Sequence, residues 1–139
     1  MNDNPKSEIQ TAIIPTLSVK NGLAAIDFYK RAFGAIELMS NTAPDGSIVA
    51  ELSIEGARLV VADEAVEYGN FSPESLGGNS IRLGLLVADP DAVVDRAVSA
   101  GATEIYPVSD QEYGYRLGRI VDPFGHHWEI FKPLAASLN

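Results

Sequence analysis

Few residues in this chain are equipped for chemistry. It holds two histidines, His126 and His127, and no cysteine, so thiolate metal sites, a cysteine nucleophile and disulfide staples are all excluded. Neighbouring residues of a strand point to opposite faces, so at most one of the two imidazoles reaches any one surface. Counting by twos groups His127 with Glu129 and Phe131. An imidazole and a carboxylate two residues apart on one face could form an acid/base couple or two ligands of a cation; a hydrogen-bonded sheet histidine without chemistry is the plainer alternative. Glu51 is a further candidate: Leu52 and Ile54 alternate with Val49, Glu51 and Ser53, so a strand that turns its leucine to a helix turns Glu51 the other way. A solvated strand carboxylate fits that position equally. Residues 110–119, expected as a loop between strands, combine Tyr113, Tyr115, Arg116 and Arg119 with polar and acidic side chains. Rings beside guanidiniums suit a planar or anionic small molecule, and the same residue types are enriched where subunits meet.

The elements that must carry these side chains follow from periodicity. Residues 12–19 are rich in Ile, Thr, Leu and Val and run into the turn residues Lys20, Asn21 and Gly22, which reads as a strand. From Leu23 the period lengthens: Ala25, Ile26, Tyr29, Ala32 and Phe33 recur at three and four, and Gly34 stands where a helix C-cap glycine belongs. Strands are expected at 35–41, 47–54 and 57–63, separated by the turns Pro44-Asp45-Gly46 and Glu55-Gly56. The second half repeats this grammar. It has a strand at 81–87, a helix opened by Asp89-Pro90-Asp91 with the stripe Ala92, Val93, Ala97 and Val98, and strands at 103–108, 117–122 and 126–131. Laying Gly34-Ala35 on Gly101-Ala102 superposes Ile26 on Val93 and Glu37 on Glu104. The expectation is a duplicated βαβββ unit of α+β class: a loose tail at 1–11, units at 12–68 and 80–134, and a Gly/Ser/Pro/Asn-rich linker at 69–79. One helix covers one face of each sheet, and two such sheets curled side by side leave a concave face where a small ligand can sit.

Composition narrows the function classes. A chain of 139 residues suits one domain-sized core, and 46% apolar with 21% charged residues is ordinary for a globular protein. The net charge of −9 opposes nucleic acid and anionic lipid. No apolar run has the roughly 18 residues of a membrane span, and the polar start lacks a signal-peptide stretch, so a cytoplasmic location is expected.

The opening residues Ile14 to Val19 and Ala25 to Ala35, with the helix ending in Phe-Tyr-x-x-x-Phe-Gly, and the closing run Val121-Asp122-Pro123-Phe124-Gly125-His126-His127-Trp128-Glu129-Ile130 resemble the glyoxalase/bleomycin-resistance/dioxygenase (vicinal oxygen chelate) superfamily. The resemblance spans residues 12–132. It implies a divalent metal held by one residue on the first and one on the last strand of each unit, usually His or Gln and then Glu, which polarises substrate oxygens. The motifs place those positions at Ile14, Val60, Arg82 and Glu129. Only Glu129 can ligate a cation; Ile14 and Val60 offer no lone pair and Arg82 is itself a cation. An Arg82–Glu129 pair is therefore expected where relatives grip a metal.

The leading expectation is a small-molecule-binding protein of the bleomycin-resistance kind, without cofactor, using Arg82, Glu129, His127, Glu51, Tyr113, Tyr115 and Arg116. The alternative is an enzyme of the superfamily, a lyase, isomerase or dioxygenase with a divalent metal on Glu129, His127 and Glu51, or a metal-free catalyst with Glu129 as base. Relatives often build the cavity from two chains, which implies a homodimer.

Overall fold

A computed structural model describes residues 8–135. Strand β1 (Thr16–Val19) feeds helix α1 (Gly22–Phe33), and strands β2 (Ile36–Thr42), β3 (Ile48–Ile54) and β4 (Ala57–Asp63) complete the first unit. The helix begins where it does because the Asn21 side chain accepts from the Ala24 N–H and the Asp63 carboxylate accepts from the Gly22 and Ile48 N–H groups. It stops at Gly34, which takes the left-handed conformation at φ 68°. The second unit comprises β5 (Arg82–Leu86), helix α3 (Pro90–Ala100), β6 (Thr103–Asp110), β7 (Tyr115–Val121) and β8 (His127–Pro133). The sheets have the orders β1-β4-β3-β2 and β5-β8-β7-β6, with β1 parallel to β4, β5 parallel to β8 and the remaining pairs antiparallel. The expected α+β duplication is present, and neither sheet closes.

Several details depart from expectation. The first strand begins at Thr16 rather than at 12, because Pro15 has no N–H and contributes only its carbonyl, to the Val60 N–H at 2.8 Å. The buried stripe of α3 is Pro90, Val94 and Ala97, with Ala92 and Val98 exposed. The Asp89 side chain caps the Ala92 N–H and Pro90 starts the helix, which sets the phase so that positions 90, 94 and 97 face inward. The linker 69–79 is tied down. It contains the short helix α2 (Pro73–Leu76), the Glu64 carboxylate accepts from the Ser72 N–H and the Ser75 hydroxyl, and the Asn79 amide donates to the Gly125 carbonyl at 2.7 Å. Of the expected tail 1–11, residues 1–7 lie outside the described residues; residues 9–11 are exposed and in no helix or strand.

The core lies between the helices and the covered faces of both sheets, and α1 packs on α3. At their crossing the Arg31 guanidinium donates to the Ala100 carbonyl and the Arg96 guanidinium to the Arg31 carbonyl. Rings of Phe28, Tyr29 and Phe33 meet those of Phe124 and Trp128 edge-on or tilted across the two units, and Tyr29 and Phe33 stack on each other. Among them is the buried carboxylate of Asp122, in the turn before β8. It accepts from the Tyr29 hydroxyl, from Trp128 Nε1 at 2.9 Å, and from the Phe124 and His126 N–H groups at 2.9 and 3.0 Å. Burial, and then the Asp122 charge beside it, push the Tyr29 hydroxyl well above the ordinary tyrosine pKa, so it stays a donor.

This predicts a graded response to truncation. Tyr29→Phe removes one of four donors and should cost about 1.5–3 kcal/mol, whereas Asp122→Ala strands all four and should cost more than about 3 kcal/mol. Urea unfolding followed by tryptophan fluorescence measures both, and equal losses would contradict a shared acceptor.

Candidate functional site

The strands present two sides. On β8, Trp128 and Ile130 are buried under the helices while His127, Glu129 and Phe131 turn to the open side, as period-two counting requires. On β7, Gly118 and Ile120 are buried, so Tyr115, Leu117 and Arg119 share the open side. Register then builds the site. Arg119 stands opposite Glu129, Val121 opposite His127, and on the far side of β8 Arg82 lies beside His127 and Gly84 beside Glu129.

Glu129 is the centre of this face. Its Oε2 accepts from Arg82 Nε at 3.0 Å and from Arg119 Nη2 at 3.2 Å, so the expected Arg82–Glu129 pair is present, with a second guanidinium added. Arg82 remains 55% exposed, and its two terminal nitrogens have no partner among the described residues. Arg119 is more enclosed: its guanidinium carbon lies 5.4 Å from the Tyr106 ring centroid. Among the described residues, two buried side-chain atoms lack any hydrogen-bond partner, Arg119 Nε and His127 Nδ1, and both belong to this face. Tyr113, Tyr115 and Phe131 form a ladder of rings with centroids 6.1 and 5.7 Å apart. Gly84 has room for no more than it carries, since an added Cβ would approach the Phe131 ring to 3.2 Å. A cleft of about 380 Å³ is lined by Tyr106, Gln111, Tyr113, Leu117, Arg119 and Glu129. A larger groove of about 570 Å³ runs along the seam of the two units past Glu55, Asp89 and Lys132, and holds none of these groups.

Two expected members stand elsewhere. Arg116 belongs to β7 rather than to a loop, since only residues 111–114 form the turn between β6 and β7. Its parity is that of Gly118 and Ile120, so it turns to the helix side, where it grips Asp91 through Nε and Nη2, both at 2.8 Å, and Asp110 at 2.9 Å. Those hydrogen bonds hold the guanidinium further in its charged form and hold the Asp91 carboxyl below its usual range. Glu51 does face the open side, but of the first sheet, where it is paired with Arg58. Arg58 and Tyr106 escaped the sequence reading, and Arg119 entered it only as part of the loop. A parity count along β7 would have found Arg119. Reflecting the hairpin about Glu55-Gly56 would have set Arg58 opposite Ser53, on the face of Glu51.

The donors present do not suit a divalent cation. Glu129 Oε2 is taken by two guanidiniums, Ile14 and Val60 offer no lone pair, and Glu51 is held by Arg58 on the other sheet. Among the described residues no three His, Asp or Glu side chains gather as a metal would need, so the set Glu129, His127 and Glu51 is not assembled within the chain.

Paired βαβββ units, each with an open sheet face, define the class, and known proteins share that fold. The family model of the Glyoxalase/Bleomycin resistance protein/Dioxygenase superfamily matches residues 12–130, and the chain belongs to that superfamily. It is 38% identical to an uncharacterized protein of Mycobacterium tuberculosis H37Rv over 136 residues, covering 95% of this chain and 80% of that one. The structure of the At5g48480 gene product of Arabidopsis thaliana superposes with a TM-score of 0.67 at 32% identity, covering 88% of this chain and 97% of that one. TioX from Micromonospora sp. ML1 gives 0.68 at 25% identity, covering 90% and 98%. Among the described residues no helix is long and apolar enough to cross a membrane.

Because Arg116 lies on the helix side, its substitution separates stability from binding. Arg116→Gln should lower the melting temperature at neutral pH and leave ligand affinity unchanged. The Asp91 carboxyl titrates lower folded than unfolded, so its pairing stabilises fully above the ordinary aspartate value of 3.8 and is lost as pH falls through the lowered one. The melting difference between wild type and variant should therefore shrink in acid; a difference that grows there would refute the assignment.

Proposed function

We propose that the chain binds a small molecule on the open face of its second sheet, without the divalent metal that the superfamily's enzymes use. The observation that carries this reading is unspent hydrogen-bonding capacity on a ring-lined face. Among the described residues, the Arg82 terminal nitrogens have no partner, and Arg119 Nε and His127 Nδ1 are buried without one. A buried polar atom left unpaired costs about 1–3 kcal/mol, a deficit that a bound ligand or ordered water relieves. Arg82, Glu129, His127, Tyr113 and Tyr115 are the residues assigned to this role, joined by Arg119 and Tyr106.

The open face of the first sheet belongs to the same proposal. Ile36, Met39 and Val49 are exposed there beside the Glu51–Arg58 pair. Apolar side chains gathered in this way favour contact with another protein surface, and a homodimer would cover them while walling the ligand face with a second chain. Glu51 then reaches a ligand only from a partner subunit.

Three measurements test these statements. Light scattering should give twice the chain mass of 14.8 kDa, and Met39→Asp should shift the population towards monomer; a monomer at tens of micromolar would refute the dimer. Protein dialysed free of loose ions should hold no stoichiometric Ni, Zn, Mn or Fe, and one tightly held ion per chain would overturn the metal-free reading. In a thermal-shift screen, compounds that raise the melting temperature should lose that effect in Arg82→Gln and Arg119→Gln.

A further inference from the structure

We infer that the ligand of this face is a planar arene monoanion, an aryl carboxylate of one or two fused rings, held by its charged end at Arg82 and by its rings on Tyr115 and Phe131. This rests on the reading that the face binds a small molecule. Charge comes first. The ionised side chains on the open side of β5, β7 and β8 are Arg82, Arg119 and Glu129, two positive and one negative, leaving one unit of positive charge in a chain whose net charge is −9. Acidic groups elsewhere are screened beyond about 8 Å at physiological salt, so the local excess governs a bound group. One anionic charge neutralises it, whereas a dianion would meet Glu129 with nothing left to balance it.

Shape follows from which nitrogens are unspent. Glu129 uses Arg82 through Nε alone, and the two terminal nitrogens form a flat fork that fits the two oxygens of a carboxylate. The apolar end has its own place. The Phe131 ring lies over Gly84, the residue beside Glu129, where an added Cβ would meet it at 3.2 Å, so the ring wall begins next to the Arg82–Glu129 pair. The Tyr115 ring meets the Phe131 ring edge-on, with centroids 5.7 Å apart, and Tyr113 extends the ladder. A rigid aromatic plane of one or two rings whose charge meets the Arg82 fork can lie along that ring wall. A flexible aliphatic acid would lose rotamer freedom and gain no ring contact.

Calorimetric titration of the full chain with four probes tests this: 2-naphthoate, its neutral planar isostere 2-naphthamide, the cation 2-naphthylmethylammonium, and cyclohexanecarboxylate. Naphthoate should bind tightest, by roughly tenfold or more over both the amide and the aliphatic acid. Arg82→Gln should erase the preference for naphthoate over naphthamide while the amide's own affinity holds, and Arg82→Lys, which keeps charge but not the fork, should fall between. Tyr115→Leu should weaken both naphthyl ligands together. Should Arg82→Gln fail to show the cooperative melting of the wild type, the Arg82→Lys result decides. Equal or tighter binding of the amide or the cation would overturn the inference and leave the small-molecule reading standing. Absence of binding by all four at millimolar concentration would overturn it too, and the broader thermal-shift screen then judges the underlying function separately.

Discussion

The fold turns on a single buried carboxylate. Asp122 sits in the turn that precedes the last strand, yet one of its donors is the hydroxyl of Tyr29 on the helix of the other unit. A buried anion is tolerated only when its lone pairs are filled, and here two side chains and two backbone N–H groups fill them. The arrangement therefore clamps α1 against the second unit at a defined distance, and the rings of Phe28, Phe33, Phe124 and Trp128 pack around it. One further bond joins the units inside the fold, between His126 Nε2 and the Ser18 carbonyl at 2.9 Å, and the remaining links are more peripheral. The two arginine-to-carbonyl contacts at the helix crossing are solvent-exposed, and the bond from Asn79 to Gly125 ties only the linker.

Much of this was legible in the sequence, for identifiable reasons. The duplication showed in the spacing of glycines and in apolar period. The Arg82–Glu129 contact followed from the motifs that place both residues at the superfamily's metal positions. Alternation put His127 with Glu129 because a regular strand admits no other parity. What could not be read depended on contacts between elements. Read as a loop, residues 110–119 group Arg116 with Tyr113 and Tyr115, because parity has no meaning there; once β7 begins at Tyr115, Arg116 must turn to the helices and find Asp91. The stripe of α3 was displaced because Asp89 and Pro90 set its phase, and a stripe counted from valines and alanines overlooks a buried proline. Pairing on β6 has register shifts between Glu104 and Tyr106 and between Tyr106 and Ser109, so the ring of Tyr106 reached Arg119 by an irregularity that no period announces.

The cluster at Glu129 also differs in kind from the buried hub. Half-exposed ion pairs contribute little to stability, because water competes for both partners and the side chains lose freedom in meeting. With Arg82 more than half exposed, its bond to Glu129 cannot be a principal source of folding energy. Arg119 is nearer that role, since Tyr106 covers its guanidinium and Glu129 offsets its charge. Two cations on one carboxylate leave one positive charge in excess on the open side of β5, β7 and β8, beside the exposed rings of Tyr113 and Tyr115.

The hub and the cluster are nonetheless one mechanical system, joined by six residues of chain. A strand that slips by a single residue exchanges its faces, which on β8 would bury Glu129 and expose Trp128. Two features of the Asp122 turn forbid this. The Asp122 N–H donates to the His126 carbonyl while its carboxylate takes the N–H of His126, closing the turn at a fixed length. Trp128 Nε1 then bonds the same carboxylate, so the indole cannot leave the covered side without stranding an acceptor. With Trp128 pinned inward, His127, Glu129 and Phe131 have only the open side left. His127, Glu129 and Phe131 are thus aimed by a contact on the opposite face of their own strand, and none of the three needs to contribute to that aiming.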